Sequence, residues 1–255
     1  MEQANDSTRA AKAFEPVGSP AVLNITTYRF GAGPEATRPD RVMRSPNAAI
    51  LLLRKGRLYE RNGSRRRALP RMALLGPSTR AQTWETAPNT RFTLVNLAPG
   101  VMRFLLGLSP TDVAEKVESL TGHAIAERLE SSLDGDAPVL HQCLCDLVCS
   151  GGALEDSLLQ RVRIIDRALR EASLGAHVSD YADRFGITTR TLQRNLRAAV
   201  GLAPKKILGI ERIRRLIVLT AGGWPGSVAD LAQAGGYFDQ SHLRYELQRY
   251  DFGAS

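Results

Sequence analysis

Two stretches of this 255-residue chain carry the same pattern, and no simple sheet or bundle accounts for both. The first is "VSDYADRFGITTRTLQRNLRAAVG", starting at Val178, and the second is "SVADLAQAGGYFDQSHLRYELQRY", starting at Ser227. In the first, Val178, Tyr181, Ala182 and Phe185 form an apolar stripe at helical spacing. Gly186 breaks it, and Leu192, Leu196 and Val200 begin a second stripe. A small Ala182 suits a close crossing of two helices, and Gly186 reaches positive φ without strain. The second stretch repeats this with Ala232, then Gly235-Gly236, then Leu243 and Leu247. Each is a helix-turn-helix pattern. Either alone is matched equally well by an ordinary helical hairpin. Between them "PKKILGIERIRRLIVLTA" reads as one helix over 204–221, opened by Pro204. Two units on one bridging helix is a far more specific arrangement than either unit.

With Leu192, Leu196 and Val200 turned to the core, Thr189, Arg190, Gln193, Arg194 and Arg197 are left on the other faces. Arg can bond guanine in a bidentate manner and Gln can bond adenine, so the face suits base reading. The competing reading is a solvated polar face.

The stretches "FGITTRTLQRNLRAAVGLAPKKILGIERIRRL" and "GYFDQSHL" resemble the AraC/XylS family of bacterial transcription regulators. The resemblance covers roughly residues 175–255. It implies that two recognition helices enter successive major grooves of double-stranded DNA, about 34 Å apart. It places Arg190, Gln193 and Arg194 at base-reading positions of the first helix. In the second, Asp239 is the expected cap, and Gln240, Ser241 and Arg244 are the expected readers. It also implies an arginine-rich linker face that holds phosphate. The family usually has Arg where this chain has Tyr245. The ending "RYDFG" is one residue longer than usual, and relatives normally continue past it. These departures leave two roles open for the second helix, reading bases or gripping phosphate. Upstream, "LVNLAPGVMRFLLGLSPTDVAEKVESLTG" is similar to a subgroup with a cupin-like N-terminal domain.

The rest of the chain is read from its own pattern. "AAILLL" (48–53), "RLYER" (57–61), "MALLG" (72–76), "AQTWET" (81–86) and "RFTLVNL" (91–97) are short β-rich runs between turn signals. Asn62-Gly63 suits a tight hairpin. After Gly100 the period becomes helical. "VMRFLLGL" is followed by "TDVAEKVESL" with Ser109 as cap and Pro110 at its first position, then by "AIAERLESSL" and "PVLHQCLCDLV". A longer helix over 154–172 places Leu158, Val162, Ile165 and Leu169 on one face. The expected fold is therefore α+β. A flexible N-terminus (1–19) precedes an antiparallel β-barrel (20–100) for sensing or oligomerisation. A helical connector (101–173) leads to an all-α double helix-turn-helix domain (174–255).

Composition narrows the function. The formal net charge is +8, which favours polyanionic partners. No apolar leader core and no run of roughly 18 apolar residues is visible, so the expectation is a cytoplasmic protein with no membrane partner. The first imidazole is His123, so a barrel over 20–100 has none to ligate a metal, and no catalytic motif stands out. The chain is read as a non-enzyme with no cofactor and no metal. Cys143, Cys145 and Cys149 are its three cysteines; His141, Cys145 and Cys149 repeat at four-residue steps. That suits a metal or thiol site, but the same segment carries a broad apolar stripe, and buried Cys is common. Trp84, Phe92 and Tyr59 suit a ligand pocket or the core, and "GSRRR" (63–67) suits DNA, RNA polymerase or plain solvent. The expected function is a sequence-specific DNA-binding transcription regulator, with an unidentified small-molecule effector. RNA polymerase and a second copy of the chain are further expected partners. The alternative is a ligand-binding or protein-interaction regulator whose altered second unit has weakened DNA binding.

Overall fold

The computed structural model describes residues 9–16, 19, 21–33, 40–43, 46–131, 136–150, 164 and 177–250. Its N-terminal part is built on β4 (Ala49–Lys55), the run that reads as uninterrupted apolar sequence. Side chains alternate across a strand. Ile50 and Leu52 join one apolar cluster, and Ala49, Leu51 and Leu53 join another. Both faces are covered, which is why the run lacks polar alternation.

The other strands are β1 (Arg9–Phe14), β2 (Val22–Phe30), β3 (Asp40–Met43), β5 (Leu58–Asn62), β6 (Arg65–Ala68), β7 (Met72–Leu75), β8 (Ala81–Thr86), β9 (Arg91–Leu97) and β10 (Val117–Ser119). They form a six-stranded sheet in the order β1-β2-β9-β4-β7-β10 and a four-stranded sheet in the order β3-β8-β5-β6. All the pairings are antiparallel. The expected β-barrel is not seen as a closed sheet: among the described residues no ladder joins the two sheets. Trp84 and Phe92 lie between the layers, 3% exposed each, in the cluster with Leu58 and Ala73. They are core residues. Tyr59 is half-buried under the Arg66 guanidinium, 3.6 Å from its ring centre. The Asn62-Gly63 turn is a hairpin between β5 and β6, with Gly63 at φ 59°. The "GSRRR" arginines lie on β6, where Arg66 pairs with Glu85 at 2.7 Å and Arg67 with Glu60 at 2.8 Å.

Two strands fall where none was expected. Strand β1 lies inside the 1–19 segment and pairs with β2 from Arg9↔Phe30 to Phe14↔Ile25. Strand β10 lies inside "TDVAEKVESL" and pairs with β7. That run begins as a helix, α2 (Pro110–Val113), but lasts one turn. Glu115 then takes φ 62°, and its carboxylate accepts from the Thr79 N–H at 3.1 Å and the Thr79 hydroxyl at 3.0 Å. Ser78 donates to the same carboxylate. These bonds stop the helix and deliver Val117–Ser119 to the edge of the sheet.

On the face of the six-stranded sheet opposite the small sheet pack α1 (Val101–Leu106), α3 (Ala124–Ser131) and α4 (Ala137–Ser150). Helix α4 buries Leu140, Leu144, Cys145 and Val148. The helix expected over 154–172 lies outside the described residues. The C-terminal part has five helices among the described residues: α5 (Val178–Arg184), α6 (Thr189–Val200), α7 (Pro204–Ala221), α8 (Val228–Ala234) and α9 (Gln240–Arg249). No helix is long and apolar enough to cross a membrane among the described residues.

Candidate nucleic-acid interface

The two helix pairs α5–α6 and α8–α9 close in the same way. The Ile187 N–H donates to the Ala182 carbonyl at 3.0 Å, and the Tyr237 N–H donates to the Ala232 carbonyl at 2.9 Å. Gly186 stands at φ 61° and Gly236 at φ 71°, in the left-handed region that a Cβ disfavours. The residue after each glycine packs inward, Ile187 half-buried and Tyr237 fully. Leu192 and Leu243 then anchor the second helix of each pair, at 0% and 1% exposure.

Helix ends are satisfied locally. Thr188 caps α6 by accepting from the Thr191 N–H at 3.1 Å, and Asp239 caps α9 by accepting from the His242 N–H at 2.7 Å. At the first helix of each pair a carboxylate reaches back. Asp180 accepts from the His177 N–H at 2.8 Å. Asp230 accepts from the Ser227 N–H and hydroxyl, both at 2.7 Å. The His177 backbone bond holds the Asp180 carboxyl below the usual range. The Ser227 side-chain bond, then its backbone bond, does the same for Asp230. A carboxylate pKa lower when folded gives stability that is present above the unfolded pKa and lost as pH falls through the folded one. The contribution of these carboxylates is therefore fully present above the ordinary Asp value of about 3.9 and is lost as pH falls through the lower folded value. The stability of the wild type and of Asp180→Asn/Asp230→Asn, followed by helical circular dichroism during thermal unfolding, should differ at pH 7 and converge in acid once both carboxyls are protonated.

Helix α7 ties the pairs together. It gives Ile207 and Leu208 to the core of the first pair and Leu216 to the core of the second. Ile210 and Ile213 pack with Tyr250, which is 4% exposed. Gly209 leaves no room for a Cβ beside the Tyr250 hydroxyl. So the unusual ending is anchored at least to Tyr250; residues 251–255 lie outside the described residues. Burial pushes the Tyr237 phenol up to about 12, against the opposing pull of Arg212. The Arg212 guanidinium sits 5.3 Å from the Tyr237 ring centre. Arg214 contacts Glu211 at 3.4 Å, and Arg212, Arg214 and Arg215 are all half-buried. The linker arginines expected to form a phosphate-holding face are therefore largely engaged within the protein. The exposed cations of α7 are Lys205 and Lys206 in its first turn.

Thr189, Arg190, Gln193, Arg194 and Arg197 are all exposed on α6. Arg190, Arg194 and Arg197 fall at i, i+4 and i+7 and share the side away from Leu192, Leu196 and Val200. No described carboxylate lies within ion-pair distance of these three. On α9, Gln240, Ser241 and Arg244 are exposed too. Ser241 and Arg244, with Tyr245 and Gln248, lie away from the buried Leu243. Sequence reasoning missed the prominence of Phe238 and Tyr245, which are 93% and 63% exposed.

The sulfur cluster is different in kind. Cys145 Sγ lies 3.2 Å from His141 Nε2, which lies 2.8 Å from Ser19 Oγ. Cys145 is buried in the main core and Cys149 is exposed. Among the described residues no three His, Cys, Asp or Glu side chains gather to hold a metal.

No family model matches the sequence, and no curated protein does. Among solved structures, ToxT from Vibrio cholerae superposes with a TM-score of 0.42 at 9% identity, over 95% of this chain and 94% of that one. A form of ToxT with unsaturated fatty acid bound gives 0.40 at 11% identity, over 98% and 94%. The AraC-like transcriptional activator CuxR gives 0.32 at 14% identity, over 88% and 91%. At such TM-scores the likeness carries no argument about what this chain does. The functional reading rests on the two helix pairs themselves.

Proposed function

We propose that the chain is a sequence-specific DNA-binding transcription regulator whose α6 and α9 enter successive major grooves of one duplex. The observation that carries this reading is the exposed row Arg190, Arg194 and Arg197, without a carboxylate partner among the described residues, on a capped helix of a duplicated helix-turn-helix. Three guanidiniums on one face repel one another. A polyanion relieves that repulsion and releases counterions. Helix α7 has 18 residues, about 27 Å at 1.5 Å per residue. With the width of the two pairs it is a suitable strut for a spacing of about 34 Å. Gln193 and Thr189 flank the row, and Gln240, Ser241 and Arg244 are the corresponding contacts of α9. The reading extends to a cytoplasmic non-enzyme whose β-sheet part answers a small-molecule effector or a second copy of the chain, and which works through RNA polymerase.

The test is to incubate the protein with fragmented genomic DNA at moderate salt and sequence what is retained, with and without cell extract. A small set of fragments sharing one bipartite motif is expected, with affinity falling steeply as salt rises. Retention without sequence preference would sink the reading. It would favour a ligand-binding or protein-interaction regulator instead.

A further inference from the structure

The second helix pair is not a copy of the first at its turn. From the left-handed glycine to the helix cap, the first pair runs Gly186, Ile187, Thr188; the second runs Gly236, Tyr237, Phe238, Asp239. Ile187 and Tyr237 are equivalent, because each donates its N–H to the small alanine of its pair. Phe238 is therefore an extra residue, set immediately before the cap of α9. It is 93% exposed, the most exposed of the large apolar side chains described.

Its backbone is held. The Phe238 N–H donates to His242 Nδ1 at 3.3 Å, and the next residue, Asp239, caps the helix. The His242 ring in turn stands edge-on to buried Tyr237, 5.3 Å between centres. The phenyl ring is thus carried outward at the N-terminal end of α9, the end a recognition helix presents to base edges. Tyr245, 63% exposed, lies one turn after Ser241 on the same outward face. Neither ring contributes to a core cluster.

We propose that Phe238 and Tyr245 read thymine C5-methyl groups, making the half-site under α9 an apolar, thymine-bearing one. The proposal rests on the DNA-reading function proposed above. The methyl of thymine is the apolar feature of the major-groove edge. A phenyl ring offers no donor to guanine or adenine and would strand the amino group of cytosine. The two helices then read in different chemistries. Helix α6 uses guanidinium and amide hydrogen bonds, and α9 uses aromatic contact with Arg244 at its flank.

The test uses the full chain and a site selected from random duplexes. Each thymine of that site is replaced in turn by deoxyuridine, which removes the methyl and leaves base pairing intact. For the wild type, one or two positions should bind roughly fourfold more weakly as uridine, the size expected for one buried methyl. In Phe238→Ala and Tyr245→Ala that thymine/uridine ratio should fall to one at the position each ring covers. Arg244→Ala should weaken binding and leave the ratio unchanged. Both rings are exposed, so circular dichroism should report intact folding in every variant. A wild type that prefers its selected site but shows a ratio of one throughout overturns the inference and leaves the DNA-reading function standing. A ratio that persists in both aromatic variants overturns it too. Failure to select any preferred site overturns both.

Discussion

Arg190→Ala/Arg194→Ala is expected to bind its selected site about 30-fold more weakly or worse while keeping most of its affinity for random DNA. The two guanidiniums lie four residues apart on the exposed side of α6, without carboxylate partners among the described residues. Each good bidentate contact to a base is worth roughly 1–3 kcal/mol of discrimination, so losing both removes most of the preference this helix can supply. Unfolding cannot explain the loss, because alanine raises helix propensity and the core residues Leu192 and Leu196 are untouched. Arg197, a further turn along, is the comparison. Its loss should weaken all sequences alike and reduce the slope of log affinity against log salt by about one. The check is a titration of specific and random duplexes at several salt concentrations. If the double variant loses both affinities equally, α6 holds phosphate only and does not read bases.

How much of this was legible in the sequence depends on whether the information is local. The helix pairs were legible because a 3.6-residue apolar period, a small Ala and a Gly are local properties, and the same three features occur twice. Strand β1 was not legible. Its sequence, Arg-Ala-Ala-Lys-Ala-Phe, has little strand preference, and it is a strand only because the edge of β2 offers a hydrogen-bonding partner. Strand β10 was hidden for a similar reason: the break at Glu115 is made by partners at Ser78 and Thr79, 37 and 36 residues away. The helical reading of that run followed a correct Ser109-Pro110 start to the wrong length. On α7 the phosphate-holding arginine face was an expectation from the family resemblance, not from the local pattern. Only the packing of Tyr237 against Arg212 and of Glu211 against Arg214 shows them engaged. Phe238 carried no assigned role and Tyr245 was marked only as standing where the resemblance expects Arg, because the exposure of either ring depends on packing that a local pattern does not report.

Gly201→Ala is expected to destabilise the protein about twice as much as Gly186→Ala, or more, although both glycines end or join helices of the same pair. Gly201 follows α6 at φ 84° and Gly186 stands at φ 61°, so each pays about 1–2 kcal/mol for a Cβ in the left-handed region. Around Gly186 a Cβ meets nothing within 4 Å. At Gly201 it would lie 2.5 Å from the Pro110 carbonyl oxygen and 2.7 Å from its carbon. That contact docks the end of α6 on α2, beside a backbone bond from the Gly100 N–H to the Ala199 carbonyl at 2.9 Å. Helix α2 has little room to retreat. A Cβ on Gly76 would already strike the Val113 carbonyl, and the Glu115 N–H donates to the Pro77 carbonyl at 2.9 Å. The clash must therefore move α6, adding about 1–3 kcal/mol to the conformational cost. Gly201→Asn separates the two contributions. Asparagine tolerates left-handed φ but carries the same Cβ, so it should recover only the smaller share. Urea denaturation of the three variants measures this. If α6 and α9 read DNA as proposed, the ratio of specific to random DNA affinity should also fall in Gly201→Ala, because a displaced α6 changes the placement of Arg190, Arg194 and Arg197 relative to α9. Equal losses for Gly201→Ala and Gly186→Ala would show that α2 yields freely, and that the sheet part does not hold α6 in place.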